Sequence, residues 1–328
     1  MNMKTSFTEH VGIEVPLICG AMYPCSNPEL IGAVSEAGGI GIIQPISMTY
    51  VHGHDLRAGI QLIRKQTDKP LGFNAIVEKS SKIYEDRMRK WIDIALEEGV
   101  RFFITALGNP RWVVDRVHEL GGIVYHDVTD LKWAKLAVDH GVDGLICVNN
   151  RAGGHAGTKA PEQLFSELES LGVPLVCAGG IGDEGDFIKA LQMGYAGVQM
   201  GTRFIATREC RAHDDYKNAI LKAKESDIVL TEKISGVPVS VINTPYVQKL
   251  GTKAGFLSKR LLRHPKYKHY VRMFYSLKSI WQLKRASLKG INYKDFFQAG
   301  KSVEGVAEIE SAGDIVTRFK NALLEKNA

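Results

Sequence analysis

Hydrophobic positions along this chain fall into a repeated beat, a short apolar run followed by a longer amphipathic stretch. Eight runs occupy residues 16–22, 39–45, 71–77, 101–107, 123–128, 144–150, 174–180 and 197–204, rich in Val, Ile, Leu and Phe and with little alternation. Strands covered on both faces read this way, because a strand with one wet face would alternate apolar and polar residues. The stretches 29–37, 84–98, 131–140 and 184–193 carry apolar residues at helical spacing. Gly99, Gly141 and Gly194 each stand just before the next run, where a helix hands over to a strand. A doubly wound open sheet would share this rhythm. The count of eight, and the clustering of unusual residues just past the strand ends, instead predict an α/β fold of the TIM (β/α)8 barrel type.

The beat stops near residue 232. Tyr267, Tyr270, Val271, Phe274, Leu277 and Trp281 recur every three or four positions, which predicts a helical insertion or lid near the C-terminus. The expected division is a barrel over 1–231, a basic helical insertion over 232–290, and a segment over 291–328 that packs back on the barrel. Its final helix is expected over 311–326, where Ile315, Val316, Phe319, Leu323 and Leu324 share one face.

Composition narrows the class. With 45% hydrophobic and 24% charged residues, the chain suits one sizeable globular core and not a disordered segment. No apolar run reaches the roughly 18 residues a spanning helix needs, and no secretory leader is visible, so a cytoplasmic protein is expected. The cysteines Cys19, Cys25, Cys147, Cys177 and Cys210 are odd in number and widely spaced. They predict buried thiols, and no His, Cys and Asp cluster has metal-ligand spacing. Charge is uneven: residues 249–289 hold twelve Lys or Arg and no Asp or Glu, so the rest of the chain is net acidic although the whole carries +6. Such a segment suits an acidic carrier protein or an anionic membrane surface, with a solvated helix face as the plainer alternative. Nucleic acid is not expected, since no recognition motif accompanies the charge.

Candidate chemistry gathers at the strand ends. Gly179 and Gly180 follow the seventh run, and Gly201 and Thr202 close the eighth. Glycines there let backbone N–H groups approach an anion, and the Thr202 hydroxyl adds a donor, at the usual phosphate position of this fold. After the sixth run comes Arg151, Ala152, Gly153, Gly154, His155, Ala156 and Gly157. Small residues leave the His155 imidazole unshielded, able to act as acid, base or anion partner. Gly20, Ala21 and Met22 follow the first run, and Asn74 lies in the third. An Asn near a strand end can donate and accept at once, which suits the edge of a flavin ring.

Taken together, Gly20 to Met22, Asn74, the run 152–157, the run 178–181 and the stretch 199–210 resemble the nitronate monooxygenase family, formerly 2-nitropropane dioxygenases. That family includes FMN-dependent enoyl-acyl-carrier-protein reductases and NAD(P)H:quinone reductases. The resemblance implies that Gly20, Ala21, Met22 and Asn74 line the flavin mononucleotide ring and that Gly153 and Gly154 border it. It further implies that Gly179, Gly180, Gln199, Met200, Gly201 and Thr202 hold the ribityl phosphate, with His155 catalytic. The expected activity is oxidation of an alkyl nitronate by O2 to a carbonyl compound and nitrite, with the substrate's charge near His155 and Arg151. The alternative is reduction of an enoyl thioester or a quinone, for which NAD(P)H would be needed; a flavin-binding barrel without turnover ranks last. Three departures from the family pattern bear on the substrate: Val148 and Arg151 stand where many members have a polar residue and Glu, and His126 and Asp127 stand near the end of the fifth run where some have Lys.

Overall fold

The structure, a computed structural model, describes residues 4–78, 82–233, 238–252, 285, 288 and 296–326. Eight parallel strands close a barrel in chain order: β1 (Leu17–Cys19), β2 (Ile40–Ile43), β3 (Gly72–Ile76), β4 (Phe102–Ala106), β5 (Ile123–Val128), β6 (Gly144–Val148), β7 (Leu175–Ala178) and β8 (Gly197–Met200). β8 returns to β1 with Ile18 opposite Gln199, so the barrel has no free edge. The expected (β/α)8 barrel is the fold.

Helix α1 (Ser6–Val11) precedes β1, and α2 (Pro28–Glu36), α3 (Leu56–Arg64), α4 (Lys82–Glu97), α5 (Arg111–His118), α6 (Leu131–Asp139), α7 (Pro161–Leu168) and α8 (Glu184–Gln192) follow successive strands. Local chemistry starts them: Asp130 and Asp183 accept backbone N–H groups of Trp133 and Asp186 at 3.1 and 2.9 Å. Packing then holds them, as α8 buries Phe187, Ile188, Ala190 and Leu191. Each large apolar side chain so buried contributes about 1.5–3 kcal/mol.

The eighth run ends earlier than its apolar residues suggest. Beyond Met200 the backbone turns at Gly201 into a single helical turn, α9 (Thr202–Ile205), because the chain must leave the barrel at the strand tips. Inside the barrel Ile18, Ile40, Ile42, Phe102, Ile104, Tyr125, Ile146 and Val176 fill the lower layers. Phe7 of α1 closes that end, its ring 5.8 Å from Phe102 and 5.7 Å from Tyr125. A filled floor leaves the opposite rim, at the strand C-terminal ends, as the place for a ligand.

After α10 (Asp214–Lys222), β9 (Ile228–Thr231) and β10 (Val239–Ile242) pair antiparallel outside the barrel. The insertion expected to be helical from 232 therefore begins with a strand, followed by α11 (Pro245–Leu250). Its reason is a small separate core: Val239 and Val241 alternate inward and pack with Val247 and Phe296. The helix expected across 256–281 and most of the basic segment 249–289 lie outside the described residues. The C-terminal helix Ala312–Glu325 does return to the barrel, packing on α2 and α8 with Phe319 5.2 Å from Phe187. Arg203, wholly buried, anchors the same segment by pairing with Glu310 and donating to the Glu308 carbonyl at 3.3 Å.

Candidate active site

A cavity of about 470 Å³ opens at the C-terminal rim of the strands. It is lined by His155 and by the residues expected to contact a cofactor, Gly20, Ala21, Met22, Asn74, Gly153, Gly154, Gly179, Gly180, Gln199, Met200, Gly201 and Thr202. These positions, from 20 to 202 in the chain, meet because each lies in a barrel strand or in the loop that follows it.

Three contacts shape the wall formed by the loops after β6 and β7. Gly179 and Gly180 take φ of 117° and 84°, which turns the chain sharply after β7. A Cβ on Gly179 would lie 2.5 Å from the Ala152 nitrogen, so the β6 and β7 loops touch backbone to backbone. Asn149, wholly buried, fixes that approach by donating to the Gly179 carbonyl at 2.9 Å and accepting from the Arg151 N–H at 2.8 Å. Its role was not read from the sequence, where one Asn beside another in a loop carries no signal.

The C-terminal segment supplies another wall. Gly300 donates its N–H to the Thr202 hydroxyl oxygen at 3.0 Å, which leaves the hydroxyl proton free to point at a ligand. Gly153 packs so closely that a Cβ there would meet the Gly300 nitrogen at 2.8 Å. Gln298 and Ser302 reach the cavity, and Tyr216, which also lines it, donates to the Gln298 carbonyl and stacks on Phe297 at 4.7 Å. None of these was assigned to the site beforehand, because nothing local places residue 298 beside residue 154.

One expectation fails. Arg151 is not among the cavity-lining residues; its guanidinium lies over Gly180 and forms a two-point pair with Glu225, Nη1 to Oε1 3.0 Å and Nη2 to Oε2 2.7 Å. The same carboxylate is also held by Lys301 at 3.1 Å, so the Arg151 charge is already matched within the protein. Among the described residues no Lys or Arg lines the cavity.

The model of the family described as nitronate monooxygenase matches residues 4–321. The chain belongs to the nitronate monooxygenase family. Like the rest of that family it is an oxidoreductase, and its relatives are flavin-dependent enzymes. A (3aS,4S,5R,7aS)-5-hydroxy-7a-methyl-1-oxo-octahydro-1H-indene-4-carboxyl-CoA dehydrogenase of Rhodococcus jostii is 32% identical over 249 residues, covering 76% of this chain and 68% of that protein. A probable nitronate monooxygenase of Staphylococcus saprophyticus is 28% identical over 293 residues, 76% of this chain and 81% of that one. The structure of FabK from Thermotoga maritima superposes with a TM-score of 0.83 at 30% identity, covering 99% of this chain and 98% of FabK.

Two titratable groups of this family member stand out in the cavity. The His155 ring is exposed to solvent, yet the surrounding protein partly desolvates it and lowers its pKa, favouring neutral imidazole. Asp127, at the end of β5, is pushed the other way, to about 7, by burial alone. All five cysteines are buried and free. Among the described residues no group of three His, Cys, Asp or Glu could hold a metal ion, and no helix is long and apolar enough to cross a membrane.

Proposed function

We propose that the protein is an FMN-dependent oxidoreductase in which His155 exchanges a proton with the substrate carbon next to the one that gains or loses a hydride. The carrying observation is the convergence of two glycine turns, the Thr202 hydroxyl and His155 on one cavity. The residues fit the cofactor. The Gly179 and Gly180 turn lines the cavity and packs too closely on Ala152 and Arg151 for a side chain, and among the described residues Gln199 Oε1 and Asp127 Oδ1 are buried without partners, as acceptors and donors awaiting a polar ring edge would be. Gly179, Gly180, Gly201 and Thr202 would hold the phosphate, while Ala21, Met22, Asn74 and Gln199 would border the ring. FMN bound there would accept or return the hydride.

An acyl thioester is the better supported substrate. The reacting carbons of a thioester are uncharged, which suits a cavity lined by no described cation, and relatives at 30% identity or above include a CoA-ester dehydrogenase. Neutral His155 would take the proton α to the thioester carbonyl in oxidation and return it in reduction. The second reading, oxidation of a nitronate, is favoured by the family model and by the probable nitronate monooxygenases among the relatives. There His155 would deprotonate a neutral nitroalkane, with no help from Arg151. Anaerobic mixing decides between them: bleaching of the bound flavin by a saturated acyl-CoA, or reoxidation of photoreduced flavin by an enoyl-CoA, supports the thioester reading. Bleaching by propyl nitronate alone overturns it in favour of the monooxygenase.

A further inference from the structure

We propose that Asp127 holds the bound flavin as an uncharged acid, donating its carboxyl proton to a hydrogen-bond acceptor on the ring and making cofactor affinity depend on that proton. This rests on the flavin reading above.

The argument starts from strand geometry. Successive β5 side chains alternate, so His126 and Asp127 face opposite sides. His126 turns out of the barrel, where its Nδ1 meets the Thr105 hydroxyl at 2.8 Å and burial keeps it neutral with a pKa of about 4. Asp127 turns in and lines the cavity beside Ile104 and Ala106 of β4 and Val148 of β6. Its Oδ1 is shut off from solvent and has no hydrogen-bond partner in the protein. An oxygen buried in this way disfavours the charged form of its carboxyl, while the side chain as a whole is only half-buried and lines the cavity.

Among the described residues no cation faces Asp127 to hold it as a carboxylate. On β4 and β6 its cavity neighbours are apolar, and the nearby Cys147 thiol is itself pushed well up by burial and stays protonated. His155, at the mouth, is shifted toward its neutral form, and no described Lys or Arg lines the cavity. An isolated ion in such a place is expensive, and the group neutralises instead. The neutral acid then differs from Asn74 and Gln199, the amides that also line the cavity, because its hydroxyl proton is a strong donor without a competing second N–H. A flavin ring offers carbonyl oxygens and unprotonated ring nitrogens to such a donor, so ligand and side chain complete one another.

The test is titration of the apoprotein with FMN, followed by quenching of flavin fluorescence between pH 5.5 and 9, for wild type, Asp127→Asn and Asp127→Leu. Asn keeps a donor but cannot ionise, and it controls for titration of the FMN phosphate itself. The ratio of wild-type Kd to that of Asp127→Asn is expected to climb above neutrality, approaching tenfold per pH unit where the proton must be restored on binding. Asp127→Leu is expected to bind at least about tenfold more weakly than Asp127→Asn at every pH, from loss of one buried hydrogen bond. A ratio that stays flat, or that falls with pH because a carboxylate accepts from the ring, overturns the proposal. If Asp127→Leu fails to fold, the wild-type and Asn curves decide alone. Wild-type protein that binds no FMN at any pH would overturn the flavin reading and this inference with it, an outcome separable from flat curves with tight binding.

Discussion

Arg151 and Glu225 form a two-point ion pair, 3.0 and 2.7 Å long, that spans 74 residues and lies across the Gly180 turn. The Glu225 carboxyl is held below its usual range chiefly by the Arg151 hydrogen bond. Both side chains are about one-third exposed, at 32% and 36%, so the pair is worth about 0–1 kcal/mol in stability. Arg151→Met is expected to leave the ratio of kcat/KM for an anionic substrate to that for its neutral counterpart unchanged. A selective loss on the anion would restore Arg151 to the substrate.

His155→Ala should retain FMN but lose about 10² or more in turnover, as removal of a general acid or base does. The direction of its pKa shift sets the pH profile. With the imidazole pKa lowered, the neutral base persists to pH values below its ordinary 6.5 and is lost only under more acidic conditions. The wild-type kcat/KM in the oxidative direction should therefore hold through neutrality and fall in acid, and the variant's residual rate should lack that limb.

Gly179→Ala should be worse than Gly180→Ala. Both residues sit at positive φ, which costs a side chain on the order of 1–3 kcal/mol. At Gly179 the new methyl would also strike the Ala152 backbone at 2.5 Å, whereas at Gly180 it meets the Arg151 side chain, which can swing aside. Thermal melting of the apoprotein and FMN affinity should show the same order.

Asp127 makes the apoprotein's stability depend on pH in a definite sense. Folded, its carboxyl keeps a proton up to about pH 7; unfolded, it releases it near the ordinary 3.8. The folded state thus holds the extra proton between those values, and stability falls as pH rises through that window and levels off above it. Asp127→Asn should match wild type in Tm below pH 4 and exceed it by pH 8. Equal Tm values at pH 8 would mean that the carboxylate finds solvent or a partner there.

Much of this protein was legible in its sequence for a physical reason. Parallel strands buried on both faces must be nearly all apolar, and a turn at positive φ favours glycine, so eight runs and the turn at Gly179 and Gly180 marked both barrel and rim. His155 stood out because its neighbours are too small to hide it. What only the tertiary structure decided are partnerships between distant residues: Arg151 with Glu225, Thr202 with Gly300, Asn149 with Gly179, and the isolation of Asp127. Local pattern specifies which face a side chain takes, but its charge state and availability depend on what the folded chain sets opposite it. An Arg beside a glycine loop reads as an anion site until a carboxylate 74 residues away claims it, and an Asp at a strand end reads as a charge until desolvation favours its protonated form.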